Sequence, residues 1–489
     1  MLSLYAWSAI PSCYLRFGYD SSVLPLLLAC VQSDSAAPVH DSPDDSGEEG
    51  VPSIVIIGGG PAGMAVAGAL SSGLLLEAAD VLGGLADRDN LTITFVDTPL
   101  QTASGIEDDP EQALARWADM TGGPPTDMTA AWLEASPEIY DRLVSMGVGF
   151  STLSPDPITH VARLHEVSLE GSRITAALQE AIPAGVEVRT GTWVDGLALE
   201  DGRVVGVEIG DETIAADAVV IATGGFSGDS SVIEAITGGD PSFWPGESAS
   251  GNGQALAWAD QYGLGTDCEA CVGWRWGRLG SPLAEQGLEV NLPPENAPWV
   301  WVNREGHRFV DETQNWSITL GSAWEAQNGP VALISAADMA GLIAGEAVDP
   351  DDAASWLPAE VLCADSLEAL GELIAIDAKD MTDLRARLAN ADSEGTERPL
   401  QDPPDLESGG ACAVQPGRIA LKTFGGLAVD DDGRVLDLGG EPVPGLYAAG
   451  EAAGMLAPGW AGTNGVDGSL SAVVWSGWRL GALLAAGDR

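Results

Sequence analysis

A chain of 489 residues with 45% hydrophobic content is long for one hydrophobic core and predicts a globular protein of two or three domains. Its 73 acidic against 21 basic residues give a formal net charge of -52, which argues against nucleic acid and anionic membrane surfaces as partners. Only Lys379 and Lys422 are lysines, no basic patch stands out, and the acidic excess reads as a solvated surface suited to a salty or extracellular setting.

The first fifty residues read as processing signal and tether. Residues 23–29 (VLPLLLA) form a short apolar stretch ending at Cys30, and Leu27-Leu28-Ala29-Cys30 resembles a bacterial lipobox, in which the Cys is acylated after cleavage. The stretch is far below the roughly 18 apolar residues that span a bilayer. Residues 31–50 are rich in Ser, Asp, Glu and Pro and have almost nothing to bury, as in a disordered acidic linker. Residues 1–30 are therefore expected to be the signal segment of an exported lipoprotein, held to the membrane only through a lipid on Cys30. The alternative is a cytoplasmic protein with an unstructured leader or a mis-assigned start. With Cys30 acylated and Cys13 removed, Cys268, Cys271, Cys363 and Cys412 remain, and four cysteines allow three pairings that sequence does not rank. Cys268-Glu-Ala-Cys271 has CxxC spacing, but Val272 follows where haem attachment requires His. No second CxxC and no nearby His completes a zinc site, so no metal centre is expected.

Residues 53–57 (SIVII) are a continuous apolar run followed at once by Gly58-Gly59-Gly60-Pro61-Ala62-Gly63, and residues 64–76 read as a helix. A buried strand, a glycine turn and a helix is the context in which GxGxxG binds a dinucleotide. Gly58 permits the tight turn, Gly60 lets the backbone approach a pyrophosphate, and Gly63 allows close helix-strand packing. Pro61 and Ala62 open the helix whose N-terminus receives the phosphates. Residues 91–96 (LTITFV) read as the second strand, and it ends in Asp97, an acid placed to accept hydrogen bonds from a ribose. Asp97 lies beyond the usual spacing of about 20 residues, because the connection around residues 82–90 is extended.

Residues 187–199 and 203–208 form a hairpin-like pair, and residues 218–221 run into Ala222-Thr223-Gly224-Gly225-Phe226. Residues 443–451 (VPGLYAAGE) read as a strand closing on Gly450 and Glu451, a glycine and an acid suited to a ribityl chain. These segments exclude a simple NAD dehydrogenase.

The ordered motifs IVIIGGGPAGMAVA, DAVVIATGGF, GNGQALAWA, WVNREGHRFVDE, FGGLAVDDDGRVLD and VPGLYAAGEAAG, spread over residues 53–481, resemble the FAD-dependent oxidoreductase family 2. That family includes soluble fumarate reductases, tricarballylate dehydrogenase, urocanate reductase and ketosteroid dehydrogenases. The resemblance implies an α/β fold with a split Rossmann-type FAD-binding domain and an inserted α+β capping domain. The first part of the FAD-binding domain is placed at residues 51–265, the capping domain at 266–405 and the C-terminal return at 406–489. Implied FAD contacts are Gly58, Gly60, Pro61, Ala62, Gly63 and Asp97, then Thr223 and Gly224, then Gly450 and Glu451, with Ser469 and Leu470 near the end. It also implies hydride transfer between flavin N5 and a substrate carbon beside a carbonyl or carboxylate. No flavin-attachment sequence such as D-x-x-S/T-G-A-T and no haem-binding CxxCH occurs, so FAD is expected to be non-covalent and the electron donor or acceptor a separate molecule.

The chain departs from the fumarate reductases at three cations. Trp316 stands where such enzymes place the proton-donating Arg, Leu421-Lys422 where they place a His pair, and residues 459–466 (GWAGTNGV) hold no basic residue where a further Arg is expected. Two carboxylates in a closed site need cations or several donors to offset desolvation, so fumarate is an unexpected substrate. Trp244, Trp274, Trp276, Trp299, Trp301, Trp316 and Trp324 crowd the expected capping region and its approach. They read as the wall of a pocket for an aromatic or apolar molecule, or as ordinary packing. Lys422, Arg275 and His165 are the polar catalytic candidates: Lys422 just precedes the Gly425-Gly426 turn, Arg275 falls near the family's substrate-binding His, and His165 sits in an R-x-H stretch. His160 and His307 read as structural. Two functions stay open: an exported FAD oxidoreductase, or a flavin-bearing binding or electron-relay lipoprotein that has lost catalysis.

Overall fold

The run Ile54-Val55-Ile56-Ile57 is buried on both faces, as a central parallel strand must be. In the computed structural model it lies inside a six-stranded sheet ordered Arg434–Leu436, Pro442–Ala448, Ala218–Ile221, Ile54–Ile57, Gly73–Leu76, Val186–Arg189. All neighbours run parallel except Arg434–Leu436, an antiparallel edge strand. The structure describes residues 54–86, 92–121, 126–155, 161–168, 173–238, 243–245, 251–267, 272–278, 300–308, 331–337, 361–389, 406, 409–414, 416–454 and 469–487.

Side chains alternate across the pleat, so Ile54, Ile56 and Leu75 join one core, and Val55, Ile57 and Leu74 join another. The first core is covered by the helices Pro61–Ala67 and Ser469–Ala486. These helices approach through glycine: a Cβ on Gly477 would stand 2.4 Å from the Ala62 carbonyl oxygen, and one on Gly481 2.7 Å from that of Val66. The second core is covered by the helix Gln254–Tyr262 and the antiparallel hairpin Gly196–Glu200 and Arg203–Ile209. Among the described residues no helix is long and apolar enough to cross a membrane.

Two readings of the N-terminal third change. The helix expected over residues 64–76 ends at Ala67, and Gly73–Leu76 is instead the strand beside Ile54–Ile57. Gly68 caps the helix after Ala67, and the short run Leu74-Leu75-Leu76 is the kind that periodicity alone does not assign. The expected second strand, around residues 91–96, is Thr92–Thr94 and leaves the parallel sheet altogether. It pairs antiparallel with Ala162–Val167, which pairs with Phe150–Pro155.

His165 lies in that three-stranded sheet, and the structure corrects its catalytic reading. The ring is fully buried, edge-on to Phe95 and Phe150 and tilted against Tyr140. Nδ1 stands 2.7 Å from the Arg163 carbonyl oxygen, which only accepts, so Nδ1 carries the proton. Nε2 stands 2.8 Å from the Thr98 hydroxyl, and in the neutral ring it accepts from it. Burial pushes the imidazole pKa down to about 4. A ring without exposed surface, with both nitrogens engaged, has no face left for a flavin or a substrate. Beside it Arg163 holds Asp108 through Nη2 at 2.6 Å and Nε at 2.8 Å, and Gln101 Nε2 donates to the same carboxylate at 3.0 Å. Both ionic side chains are buried, so removing either partner alone would cost about 3–5 kcal/mol.

The segment between the two halves of the parallel sheet builds a second, antiparallel sheet ordered Val300–Val302, Val331–Ser335, Ala411–Val414, Val361–Ala364. The helices Leu367–Ile374 and Ala378–Ala389 pack on it around Leu333, Leu370, Met381 and Leu384. Ala411–Val414 pairs with strands on either side of it, so this sheet runs past residue 405, where the insert was expected to end. Cys363 and Cys412 face each other across the last strand pair and form a disulfide. Trp301 is buried in this sheet, which favours packing over a pocket wall. The Cys268/Cys271 pair, His160, Trp299, Trp316 and Trp324 lie outside the described residues.

The buried imidazole generates an acid-side prediction. Below pH 6.5 the unfolded chain takes up a proton that the folded core refuses until about pH 4. Stability is therefore full above 6.5 and falls with pH across that window, by about 3 kcal/mol in total. Urea midpoints measured across it should fall less steeply for His165→Gln than for the wild type, whereas parallel profiles would contradict the assignment.

Candidate functional site

The carboxyl ends of the parallel strands gather the expected binding residues on one edge of the sheet. Gly58 follows Ile54–Ile57 with φ of 108°, and a Cβ there would stand 2.3 Å from the Ala222 carbonyl oxygen at the end of the neighbouring strand. A Cβ on Gly63 would meet the Gly58 carbonyl oxygen at 1.9 Å. The fold itself demands both glycines. Gly60 differs: among the described residues a Cβ there would meet nothing within 4 Å. The open space beside Gly60 is a cradle that a diphosphate would fill and a side chain would block. Gly60 is also the N-cap of Pro61–Ala67 and offers no side-chain hydrogen bond, and the first turn holds no acidic residue. Pro61 has no N–H, so Ala62 and Gly63 supply the first free donors of the helix.

The acid of this site is Glu77, and the assignment to Asp97 is corrected. Gly73–Leu76 ends at Glu77, whose Oε2 accepts the Gly59 N–H at 2.6 Å and whose Oε1 accepts the Ala79 N–H at 2.7 Å. Glu77 thus stands at the glycine turn, 18 residues after Gly59, in keeping with the usual spacing of about 20 for a ribose-binding acid. Asp97 follows a strand of a different sheet, is exposed, and holds a left-handed φ of 57°. The signal for Glu77 was present in Leu74-Leu75-Leu76-Glu77, hidden by the extension of the helix across it.

Thr223 and Gly224 follow Ala218–Ile221, and the Ala222 N–H donates to the Ile57 carbonyl at 2.8 Å. The Thr223 hydroxyl oxygen is buried without a hydrogen-bond partner among the described residues, as a group waiting for a ligand would be. Gly450 and Glu451 follow the return strand Pro442–Ala448, and the Ser476 hydroxyl accepts the Gly450 N–H at 3.0 Å. Ser469 and Leu470 open the helix Ser469–Ala486, and Leu470 packs against the first core. The cradle at Gly60, the uncapped helix, Glu77 and the unsatisfied Thr223 fit a dinucleotide.

A second group of segments meets this edge. The Thr423 hydroxyl accepts the Phe226 N–H at 3.4 Å, tying the strand Pro416–Thr423 to the turn after Thr223. A Cβ on Gly426 would stand 2.6 Å from the Ala452 carbonyl oxygen, which brings the Gly425-Gly426 turn against Glu451-Ala452. Lys422 precedes Thr423 and pairs in register with Gly273, and Arg275 pairs with Ile419 on the same two strands. The structure therefore brings Lys422 and Arg275 together by backbone position; it sets His165 apart from them, in a different sheet. No group of three or more His, Cys, Asp or Glu side chains that could hold a metal ion is gathered among the described residues.

Comparison with known proteins agrees with this geometry. A family model described as FAD binding domain matches residues 53–466. A fumarate reductase (cytochrome) of Shewanella frigidimarina is 26% identical over 448 residues, covering 87% of this chain and 75% of the relative. A vinyl phenol reductase of Lactiplantibacillus plantarum is 26% identical over 471 residues, covering 85% of this chain and 91% of the relative. Among solved structures, a 3-ketosteroid delta1-dehydrogenase of Sterolibacterium denitrificans superimposes with a TM-score of 0.69 at 18% identity, over 89% of this chain and 99% of that one, a likeness of fold. The chain belongs to this FAD-binding family and is an FAD-dependent oxidoreductase.

Proposed function

We propose that this oxidoreductase introduces or reduces a carbon–carbon double bond beside a carbonyl or carboxylate, on an aromatic or otherwise largely apolar substrate, with a separate electron donor or acceptor. The contact that carries the reading is Thr423 to Phe226, because it sets Lys422 next to the turn that follows Thr223. FAD, when bound non-covalently, supplies hydride chemistry at flavin N5. The residues of this chain supply the rest: Lys422 and Arg275 hold the activating oxygen of the substrate and favour the negative charge that develops on it. The segment from 266 to 414 acts as the capping domain that covers the reacting carbon and excludes water. Relatives named for fumarate and for vinyl phenol support chemistry on carbon–carbon double bonds. The three departures from the fumarate-type cation pattern, at Trp316, at Leu421-Lys422 and across residues 459–466, support a substrate with fewer charges.

Export with a lipid on Cys30 belongs to the same proposal. It is supported by the lipobox-like Leu27-Leu28-Ala29-Cys30 and by the Cys363–Cys412 disulfide, a bond that persists in oxidising compartments. Cys30→Ser is expected to move the protein from the membrane pellet to the soluble fraction; an unchanged distribution would count against the anchor.

The cradle predicts that Gly60→Val folds with the wild-type circular dichroism spectrum but purifies without flavin, since a Cβ there has no described atom within 4 Å and the side chain would occupy the space of the diphosphate. In the wild type, heat or acid should release FAD intact. A yellow Gly60→Val protein, or flavin that precipitates with the polypeptide, would defeat the reading.

For substrate class the measurement is reoxidation of dithionite-reduced protein by a panel of unsaturated ketones, aryl alkenes, aromatic acids and fumarate. Fast reoxidation by one of the first three classes and slow reoxidation by fumarate is expected, and Trp316→Arg alone should not rescue fumarate. Orientation of the second carboxylate would still lack its clamp, and misplacement by about 1 Å can cost on the order of a hundredfold in rate. Fast wild-type turnover of fumarate would overturn the substrate reading. The absence of any acceptor-specific rate would leave a flavin-bearing binding protein.

A further inference from the structure

We infer that Trp193 is a stacking platform for the adenine ring of FAD. The connection after Val186–Arg189 is stitched to the loop after Gly73–Leu76. Glu77 N–H donates to the Arg189 carbonyl at 2.9 Å, Gly191 N–H to that of Ala79 at 2.7 Å, and Thr192 N–H to that of Glu77 at 2.8 Å. On its other side Val194 is buried and its carbonyl accepts Gln254 Nε2 at 2.7 Å, while Asp195 N–H donates to the Glu208 carbonyl at 2.8 Å. The backbone on either side of Trp193 is thereby pinned, yet its side chain leaves the core and is 47% exposed. Val81, on the loop stitched to it, is 68% exposed.

An indole fixed at its root and about half exposed is unusual, because Trp is highly buried on average. Its position explains it. The Glu77 carboxylate marks the adenosine ribose, and the base is carried by the sugar carbon adjacent to the one whose hydroxyl that carboxylate binds. Thr192, bonded to the Glu77 carbonyl, immediately precedes Trp193, so the indole is rooted where the base leaves the sugar. Adenine presents a flat face with no charge for the many surface carboxylates to oppose. A pre-ordered indole gains stacking there with little entropy left to lose. The inference rests on FAD as the cofactor and is independent of the substrate.

The test uses the holoprotein. Flavin release after dilution is followed by the rise in free-flavin fluorescence for the wild type, Trp193→Phe and Trp193→Ala. A second series is reconstituted with FAD carrying a fluorescent ethenoadenine base. Trp193→Ala should speed release by roughly 5- to 150-fold, the span of base–aromatic stacking, while Trp193→Phe stays near the wild type. Bound ethenoadenine should be quenched in the wild type and bright in Trp193→Ala. Release at the wild-type rate from Trp193→Ala would overturn the assignment, and so would faster release with unchanged ethenoadenine emission, since that marks a loss elsewhere than at the base.

Discussion

At the carboxyl edge of the parallel sheet, main chains approach so closely that side chains are excluded. The Gly58 turn lies against Ala222, Gly63 against Gly58, and the Gly426 turn against Ala452, each at a distance that leaves no room for a Cβ. Segments from the start, middle and end of the chain reach one edge only because these approaches are permitted. Hydrophobic burial of the strands behind them supplies the driving force, and glycine decides where the backbones stop. Gly60 is the informative exception, since among the described residues nothing crowds a Cβ there. A glycine kept beside open space points outward, to a ligand.

Much of this was legible in the chain. The run SIVII, the glycine turn, ATGGF and the closing LYAAGE all occupy the strand ends expected of them, because continuous apolar runs stopped by glycine have few other solutions in a parallel sheet. What was not legible was the second strand. Leu74-Leu75-Leu76 follows a helix with similar apolar character, and only the short break that begins at Gly68 separates them. Extending the helix across that break moved the candidate ribose acid to Asp97, whereas Glu77 is the acid that stands at the glycine turn. The difference is one of register along the chain: the same expectation, an acid at the end of the second strand, falls on Glu77 once that strand is Gly73–Leu76. The extent of the insert was hidden for a different reason. Ala411–Val414 is too short to reveal which of two sheets it joins, and the strands it pairs with are remote in sequence.

The charge of -52 bears on the site as well as on the surface. A diphosphate entering such a chain is opposed by the summed field of the carboxylates, and the two lysines of the sequence offer little to offset it. Recognition through backbone N–H groups and a helix N-terminus needs no cationic side chain. The neutral indole inferred beside the adenine adds affinity that the acidic surface does not oppose. The same field disfavours a dianionic substrate more than a singly charged or neutral one.

The R-x-H stretch shows how a motif can serve the site without touching it. His165 holds Thr98, and Arg163 holds Asp108, which in turn holds Gln101, so the short helix Pro99–Ala103 is fixed to the three-stranded sheet by buried polar bonds. Val96, just before that helix, donates its N–H to the Ser136 hydroxyl at 2.8 Å, which carries the constraint into the helix Ser136–Ser145. One helix earlier, Trp132 Nε1 donates to the Ser471 hydroxyl at 3.2 Å, in the first turn of Ser469–Ala486. That turn contains Ser469 and Leu470, the candidate cofactor contacts at the end of the chain. A charge on His165 would reach the flavin only by loosening this sequence of contacts, through the position of a helix N-terminus and not through proton transfer. Arg163 and His165, conspicuous in the motif, are therefore positioning residues, whose buried bonds fix backbone and leave no ring face or carboxylate free for a ligand.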